Sequence, residues 1–153
     1  MQSMTPMNKL MIFDLNRTLY DPDTKTLMPG ALDVLSACTD AGMPLALVSR
    51  KEPGRDVLLS KLGIDHLFVS TTFVEKKDAD LFLSLMKRHG VEPQHTYIVG
   101  DYLYEEIRAG NSCGAKTIWF QNGPFVELLP EGPHDIPWRR IRSLSELMPL
   151  CEI

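Results

Sequence analysis

The chain predicts a doubly wound α/β domain, with a parallel sheet of about five to six strands flanked by helices. Three observations predict it. Short apolar runs alternate with amphipathic stretches along most of the 153 residues. The first run, Leu10 to Phe13, is apolar at every position, as a strand buried on both faces must be. Strands that alternate with helices give a parallel sheet, because right-handed crossovers place the helices on its two faces. No internal repeat, linker or low-complexity tract divides the chain, so residues 1–153 are read as one domain.

After the first strand, Tyr20 to Thr26 is dense in turn residues and fits a short flap or hairpin. Pro29-Gly30 precedes Ala31, Val34, Leu35 and Cys38, an i, i+3, i+4, i+7 stripe that predicts an amphipathic helix closing at Gly42. Pro44 to Val48 is the second strand, ending in Ser49-Arg50, and Pro53-Gly54 opens a helix through Val57, Leu58 and Leu62 that stops at Gly63. Leu67 to Ser70 is read as a third strand, followed by a loop from Thr71 to Glu75. Asp78 is placed to cap the helix carrying Leu81, Phe82, Leu85 and Met86, which ends at His89-Gly90. Thr96 to Val99 is a fourth strand closed by Gly100-Asp101, and a helix follows with Glu105, Glu106 and Ile107 in its first turns. There the acidic residues suit the helix dipole. Lys116 to Phe120 is a fifth strand; Pro124, Pro130, Pro133 and Pro137 then mark a loop-rich tail over 124–153, with a short last helix from Ser143 to Leu150.

Composition narrows the function. The chain is 44% hydrophobic and 24% charged, as a globular domain is. Sixteen basic against twenty acidic residues give a net charge of −4, which argues against a nucleic-acid or anionic-membrane surface. The one basic cluster, Arg139-Arg140 with Arg142, reads as a solvated face. Three cysteines, Cys38, Cys113 and Cys151, have neither CxxC nor Cys/His spacing, so reduced thiols are expected rather than a zinc site or disulfide framework. Met1 to Lys9 lacks the apolar core of a leader, and no run is long enough to span a bilayer. A cytoplasmic location is therefore expected.

The polar residues that carry chemistry fall at strand ends or on the loops that follow them: Asp14 with Asn16 and Thr18, then Ser49, Lys76, and Asp101 with Glu106. Ligands of open α/β sheets bind just beyond such carboxyl ends. An Asp after a strand also serves as a turn former, so the assignment rests on the set rather than on any member. Carboxylates converging without histidine or thiol suit a hard cation, and Mg²⁺ takes one or two of them together with waters and phosphate oxygens. Lys76 then supplies a point charge for an anionic phosphoryl group. These are the parts of a phosphoryl-transfer site, in which the protein positions and neutralises.

Four motifs resemble those of the haloacid dehalogenase (HAD) superfamily, most of whose members are Mg²⁺-dependent phosphatases. They are FDLNRTL at Phe13 to Leu19, LVSR at Leu47 to Arg50, KKDADLF at Lys76 to Phe82 and VGDYLYEEIRAG at Val99 to Gly110. The resemblance covers roughly residues 9 to 123 and implies a Rossmann-like core. It implies that Asp14 is a nucleophile forming an aspartyl-phosphate, and that Asp14, the backbone carbonyl of Asn16, Asp101 and Glu106 surround Mg²⁺. It also implies that Thr18, Ser49, Arg50 and Lys76 face the phosphoryl group. Lys76 is chosen over Lys77 because it lies six residues before Phe82, as the lysine does in the family's KPxPxxF pattern.

Two positions depart from the family. Asn16 stands where phosphatases carry the Asp that protonates the leaving oxygen and later activates water; an amide does neither at neutral pH. Glu106 replaces the last Asp, and one more methylene still reaches a metal-bound water. The resemblance therefore implies weak or leaving-group-selective hydrolysis, biased toward aryl or acyl phosphates. The alternatives are an impaired Mg²⁺- or phosphate-binding protein acting through a partner, and a phosphotransferase.

Tyr20 to Pro29 and Ser49 to Lys76 leave no room for a cap domain. An uncapped site implies a bulky phosphorylated substrate or a cover from another subunit of a homo-oligomer. His66, His89, His95 and His134 lie beside no motif, and Trp119 and Phe120 are read as core rather than as a substrate platform.

Overall fold

The computed structural model describes residues 8–153. The leader reading of Met1 to Lys9 falls mostly on residues 1–7, outside the described residues. In chain order the elements are β1 (Leu10–Phe13), a hairpin of β2 (Tyr20–Asp21) and β3 (Thr26–Leu27), α1 (Ala31–Asp40), β4 (Leu45–Arg50), α2 (Arg55–Leu62), β5 (Ser70–Val74) and α3 (Ala79–His89). There follow β6 (Thr96–Gly100), a π-turn (Leu103–Ile107) running into α4 (Arg108–Cys113), β7 (Lys116–Phe120), β8 (Arg139–Ile141) and α5 (Leu147–Leu150).

Six strands form one parallel sheet in the order β5-β4-β1-β6-β7-β8. The direction of strand order reverses beside β1, which pairs with β4 on one side and β6 on the other. That reversal opens a crevice at the carboxyl ends, the usual ligand site of an open α/β sheet. Central position explains the sequence of β1: all four residues are buried. Met11 and Phe13 face a core shared with α1, while Ile12 and Leu10 face a second core built on Phe82, Leu85 and Met86 of α3. The α1 stripe Ala31, Val34, Leu35 and Cys38 is buried as its spacing requires. Asp78 caps α3 by accepting from the Leu81 amide at 2.9 Å.

Three elements differ from expectation. The third strand begins three residues later and spans Ser70–Val74. Leu67 instead ends a 3₁₀ turn and Val69 is 57% exposed. As an edge strand paired on one side only, β5 needs little burial and is built from β-branched Thr and Val rather than from the more apolar run before it. The tail contributes β8, whose polar sequence Arg139-Arg140-Ile141 again marks an edge. The helix after β6 begins as a π-turn, a feature often found at functional sites.

Only the β2–β3 hairpin separates β1 from α1, and only α2 and a 3₁₀ turn separate β4 from β5. Among the described residues no cap domain covers the sheet. No helix of the described residues is long and apolar enough to cross a membrane.

Close packing of α4 on the sheet depends on Gly110, where a methyl group would sit 2.7 Å from Thr117 Cγ2 and 2.9 Å from Ile98 Cδ1. Gly110→Ala should therefore destabilise the fold by about 1–3 kcal/mol, lowering the midpoint of thermal unfolding by about 2–10 °C, as calorimetry can measure.

Candidate active site at the carboxyl edge of the sheet

Asp14 follows β1 directly, and its amide donates to the Val99 carbonyl at 3.0 Å, tying the ends of β1 and β6 together. The next residues wind into a tight turn in which the Leu15 carbonyl accepts from Thr18, Leu19 and Tyr20, with Arg17 at φ 59°. Asp101 lies one residue past β6, and its backbone carbonyl is held by the Trp119 indole at 3.0 Å. Glu106 comes from the π-turn and folds back over Gly100. A methyl group on Gly100 would stand well inside 3.0 Å of the Glu106 side chain, so only glycine leaves room for this carboxylate.

The result is three buried carboxylates, Asp14, Asp101 and Glu106, each with an oxygen within 4.8 Å of the others. One ammonium answers them. Lys77, 4% exposed at its side chain, donates to Asp14 Oδ1. On the other side Thr18 Oγ1 donates to Asp14 Oδ2 at 3.3 Å. Burial pulls the Lys77 pKa down, but the Asp14 and Glu106 charges and the Asp14 hydrogen bond outweigh it, so the ammonium stays protonated above its usual range. Burial first, then Asp14 and Glu106, pushes Asp101 up to about 9. Glu106 rises to about 8, chiefly through burial and against the pull of Lys77.

One charge is thus too few for three acids. Glu106 Oε1 and Asn16 Oδ1 are also buried without a hydrogen-bond partner, which a polar group tolerates only at a cost. Hard oxygen donors, surplus negative charge and an unpartnered carboxylate oxygen together fit a divalent cation such as Mg²⁺. Asp14, Asp101 and Glu106 are the residues that would hold it. They line a cavity of ≈ 390 Å³ that also takes in Ser49, Asn16 and Lys77. Arg17, Arg50 and Arg55 also line it, as do Tyr102 and Phe125, whose ring centroids lie 4.5 Å apart.

Residues 7–114 match the haloacid dehalogenase-like hydrolases. The chain belongs to that family. Among curated relatives, the glyceraldehyde 3-phosphate phosphatase of Methanopyrus kandleri is 32% identical over 95 residues, 59% of this chain and 41% of that protein. The enzyme of the same name from Pyrococcus furiosus is 27% identical over 134 residues, 82% of this chain and 53% of that protein. The phosphoserine phosphatase of Thermus thermophilus is 29% identical over 129 residues, 79% of this chain and 49% of that protein. The chain therefore spans about half the length of the curated relatives it matches. The magnesium-bound structure of the HAD-hydrolase YfnB from Bacillus subtilis superposes with a TM-score of 0.79 at 17% identity, covering 97% of this chain and all of that one. It shares the fold.

The structure brings most of the residues singled out in the sequence to one cavity. Asp14, Asn16, Ser49, Arg50, Asp101 and Glu106 all line the cavity, and Trp119 is buried core at 1% exposure. Two expectations are corrected. The lysine that reaches the cluster is Lys77, while Lys76 is exposed. Counting back from Phe82 assumed a loop with two prolines, but here Asp78 caps α3 directly and the residue beside the cap turns inward. Thr18 is fully buried, bonded to Asp14 and absent from the cavity wall, so it supports Asp14 from behind rather than facing a ligand.

Arg55 and Phe125 line the cavity from outside every motif, and Tyr102 and Glu105 do so from positions within Val99 to Gly110 that were assigned no role. For Arg55 a signal existed. A cation opens α2, where the helix dipole disfavours it.

A carboxyl with a raised native pKa binds more protons when folded than when unfolded, so stability falls as pH climbs between the two values. For Asp101 that window runs from about 4 to about 9. Asp101→Asn should therefore stabilise the metal-free protein in EDTA at pH 8 by about 1–2 kcal/mol. The gain should shrink toward pH 4, as thermal melts across pH would record.

Proposed function

We propose that this chain is a Mg²⁺-dependent phosphohydrolase acting through an aspartyl-phosphate on Asp14. The observation that carries this reading is the convergence of Asp14, Asp101 and Glu106 within 4.8 Å around a cavity, with Lys77 donating to Asp14. Family membership and relatives named as phosphatases support it.

Bound Mg²⁺ would supply charge neutralisation at the phosphoryl oxygens and help orient the phosphorus. The protein residues do the rest. Asp14 Oδ attacks phosphorus in line; the bond from phosphorus to the ester oxygen breaks, and its electron pair leaves with that oxygen. Lys77 and Thr18 fix the attacking carboxylate, and Lys77 offsets charge on the phosphoryl group. Ser49, buried at the end of β4 with its hydroxyl on the Arg50 carbonyl at 3.2 Å, presents an oxygen to the same cavity. Water then cleaves the acyl-phosphate and regenerates Asp14.

Asn16 lines the cavity where a proton donor would serve the leaving oxygen. Without one, leaving groups of low pKa are favoured, since general acid-base catalysis is typically worth about 10²–10⁴-fold. The reading is accordingly an aryl- or acyl-phosphate hydrolase.

The test is phosphate release from aryl, acyl and alkyl phosphates with Mg²⁺, together with the mass of the intact protein. Turnover that is lost in EDTA and in Asp14→Asn supports the reading. A stable mass gain on Asp14 without release favours phosphotransfer, and neither result leaves a binding protein.

Asn16→Asp should raise turnover of alkyl phosphates by about 10²–10⁴-fold and that of aryl phosphates by much less; an equal gain on both classes would remove Asn16 as the source of selectivity. Lys77→Met should lower kcat/KM by at least about 10²-fold, whereas Lys76→Met should stay within about twofold. The reverse order would return the role to Lys76.

A further inference from the structure

The cavity holds more cationic groups than one phosphoryl group uses. Besides Lys77, three arginines border it from three separate elements. They are Arg17 in the turn after β1, Arg50 at the end of β4 and Arg55 at the start of α2. Arg17 and Arg50 are partly exposed, at 27% and 55%, and each is paired with a carboxylate, Asp23 and Glu105 respectively.

Arg55 is different. Its side chain is 9% exposed, yet its one side-chain partner among the described residues is Glu52, through Nη2 at 2.7 Å, and Glu52 is itself 55% exposed. Arg55 Nε is buried with no hydrogen-bond partner among the described residues. A guanidinium carries five donors that burial leaves expensive to waste. It also opens an eight-residue helix, at the end whose dipole repels a cation and attracts an anion. An anion delivered through the cavity would resolve both costs.

We propose that Arg55 forms a second anion subsite in this cavity, so that the substrate is a phosphomonoester whose leaving group carries a further anionic group, a carboxylate or a second phosphate. The proposal rests on reading the acid cluster as the phosphoryl site. Arg50 lies at the end of β4 next to Ser49, on the phosphoryl side, and Arg55 sits five residues further on, beside an adjoining groove of ≈ 460 Å³ that it also lines. A leaving group would thus run from the acid cluster along Arg55 toward that groove. Planar carboxylates match the guanidinium fork, and phosphates bind it equally well.

The experiment compares 4-carboxyphenyl phosphate, its uncharged 4-carbamoyl analogue and hydroquinone bisphosphate with Mg²⁺ present. Both kcat/KM and calorimetric affinity are measured for wild type, Arg55→Met, Arg55→Lys and Glu52→Gln. Wild type should favour one of the two acidic ligands over the carbamoyl analogue by about 10- to 100-fold, and which one it favours identifies the anion. Arg55→Met should cut that ratio about tenfold or more, Arg55→Lys should restore part of it, and Glu52→Gln, by releasing a donor, should raise it. A wild-type ratio near one, or a ratio unmoved in Arg55→Met, overturns the subsite. Absent turnover would count against the phosphohydrolase reading alone, because the affinity ratios still report on Arg55. Melting curves of each variant separate loss of the fold from loss of the subsite, and Glu52→Gln, altered at a half-exposed side chain, keeps the test open if Arg55→Met does not fold.

Discussion

Three carboxylates and one ammonium share a space from which bulk water is largely excluded, and the rest of the structure is arranged around that imbalance. Unit charges no more than 4.8 Å apart repel by about 3 kcal/mol or more at an effective dielectric of 20. Burial and this mutual repulsion both favour protons on Asp101 and Glu106, raising them above the usual carboxylate range. A fold optimised for its own stability would discard this cluster. Its retention on rigid supports, with two buried polar oxygens left unpartnered, is the pattern of a site held ready for a cation.

Those supports explain much of the architecture. β1 and β6 are paired from Leu10↔Thr96 to Phe13↔Val99, and this register brings Asp14 and Asp101 to one edge although they lie far apart in sequence. The π-turn adds an extra residue to the start of its helix and swings Glu106 over Gly100. The tail then braces that turn. Asp135, 1% exposed, accepts from Arg108 at 2.6 and 3.0 Å, immediately after the π-turn. Tyr104 within the turn donates to the Leu129 carbonyl at 2.6 Å. Asn122 reaches back to the Arg17 carbonyl at 2.8 Å. Residues 122–135, which carry no recognisable motif, thus clamp both Glu106 and the turn after Asp14.

What was legible in the sequence follows from which interactions are local. Buried runs such as Leu10 to Phe13, the α1 stripe and the Asp78 cap are decided by neighbours a few residues away, and each is found where its pattern places it. The acids at the ends of β1 and β6 were legible because parallel topology delivers such ends to one edge. The third strand was displaced because an edge strand escapes the demand for burial that makes central strands conspicuous. The family's spacing from Phe82 points to Lys76 because it belongs to a loop with prolines, whereas here the cap of α3 decides which lysine points inward, and Lys77 does. Arg55 and the bracing tail depend on long-range contacts with no periodic signature, so only the folded chain reveals them.

Asn16 and Arg55 then constrain the same step from opposite ends of the proposed substrate. In the proposed mechanism Asn16 places an amide toward the leaving oxygen, which would then depart unprotonated and favour a leaving group that is already a stable anion. A phenolate or carboxylate meets the requirement; a simple alkoxide does not. A second negative charge on the same leaving group would ordinarily raise the energy of its departure, because charge accumulates on that fragment as the bond to phosphorus breaks. The Arg55 guanidinium opposes this at the far end, and its attraction strengthens as the leaving group gains charge, so part of its binding energy is expressed only in the transition state. On this reading the missing acid and the surplus arginine are one design: proton transfer at the leaving oxygen is exchanged for electrostatic stabilisation further along the fragment.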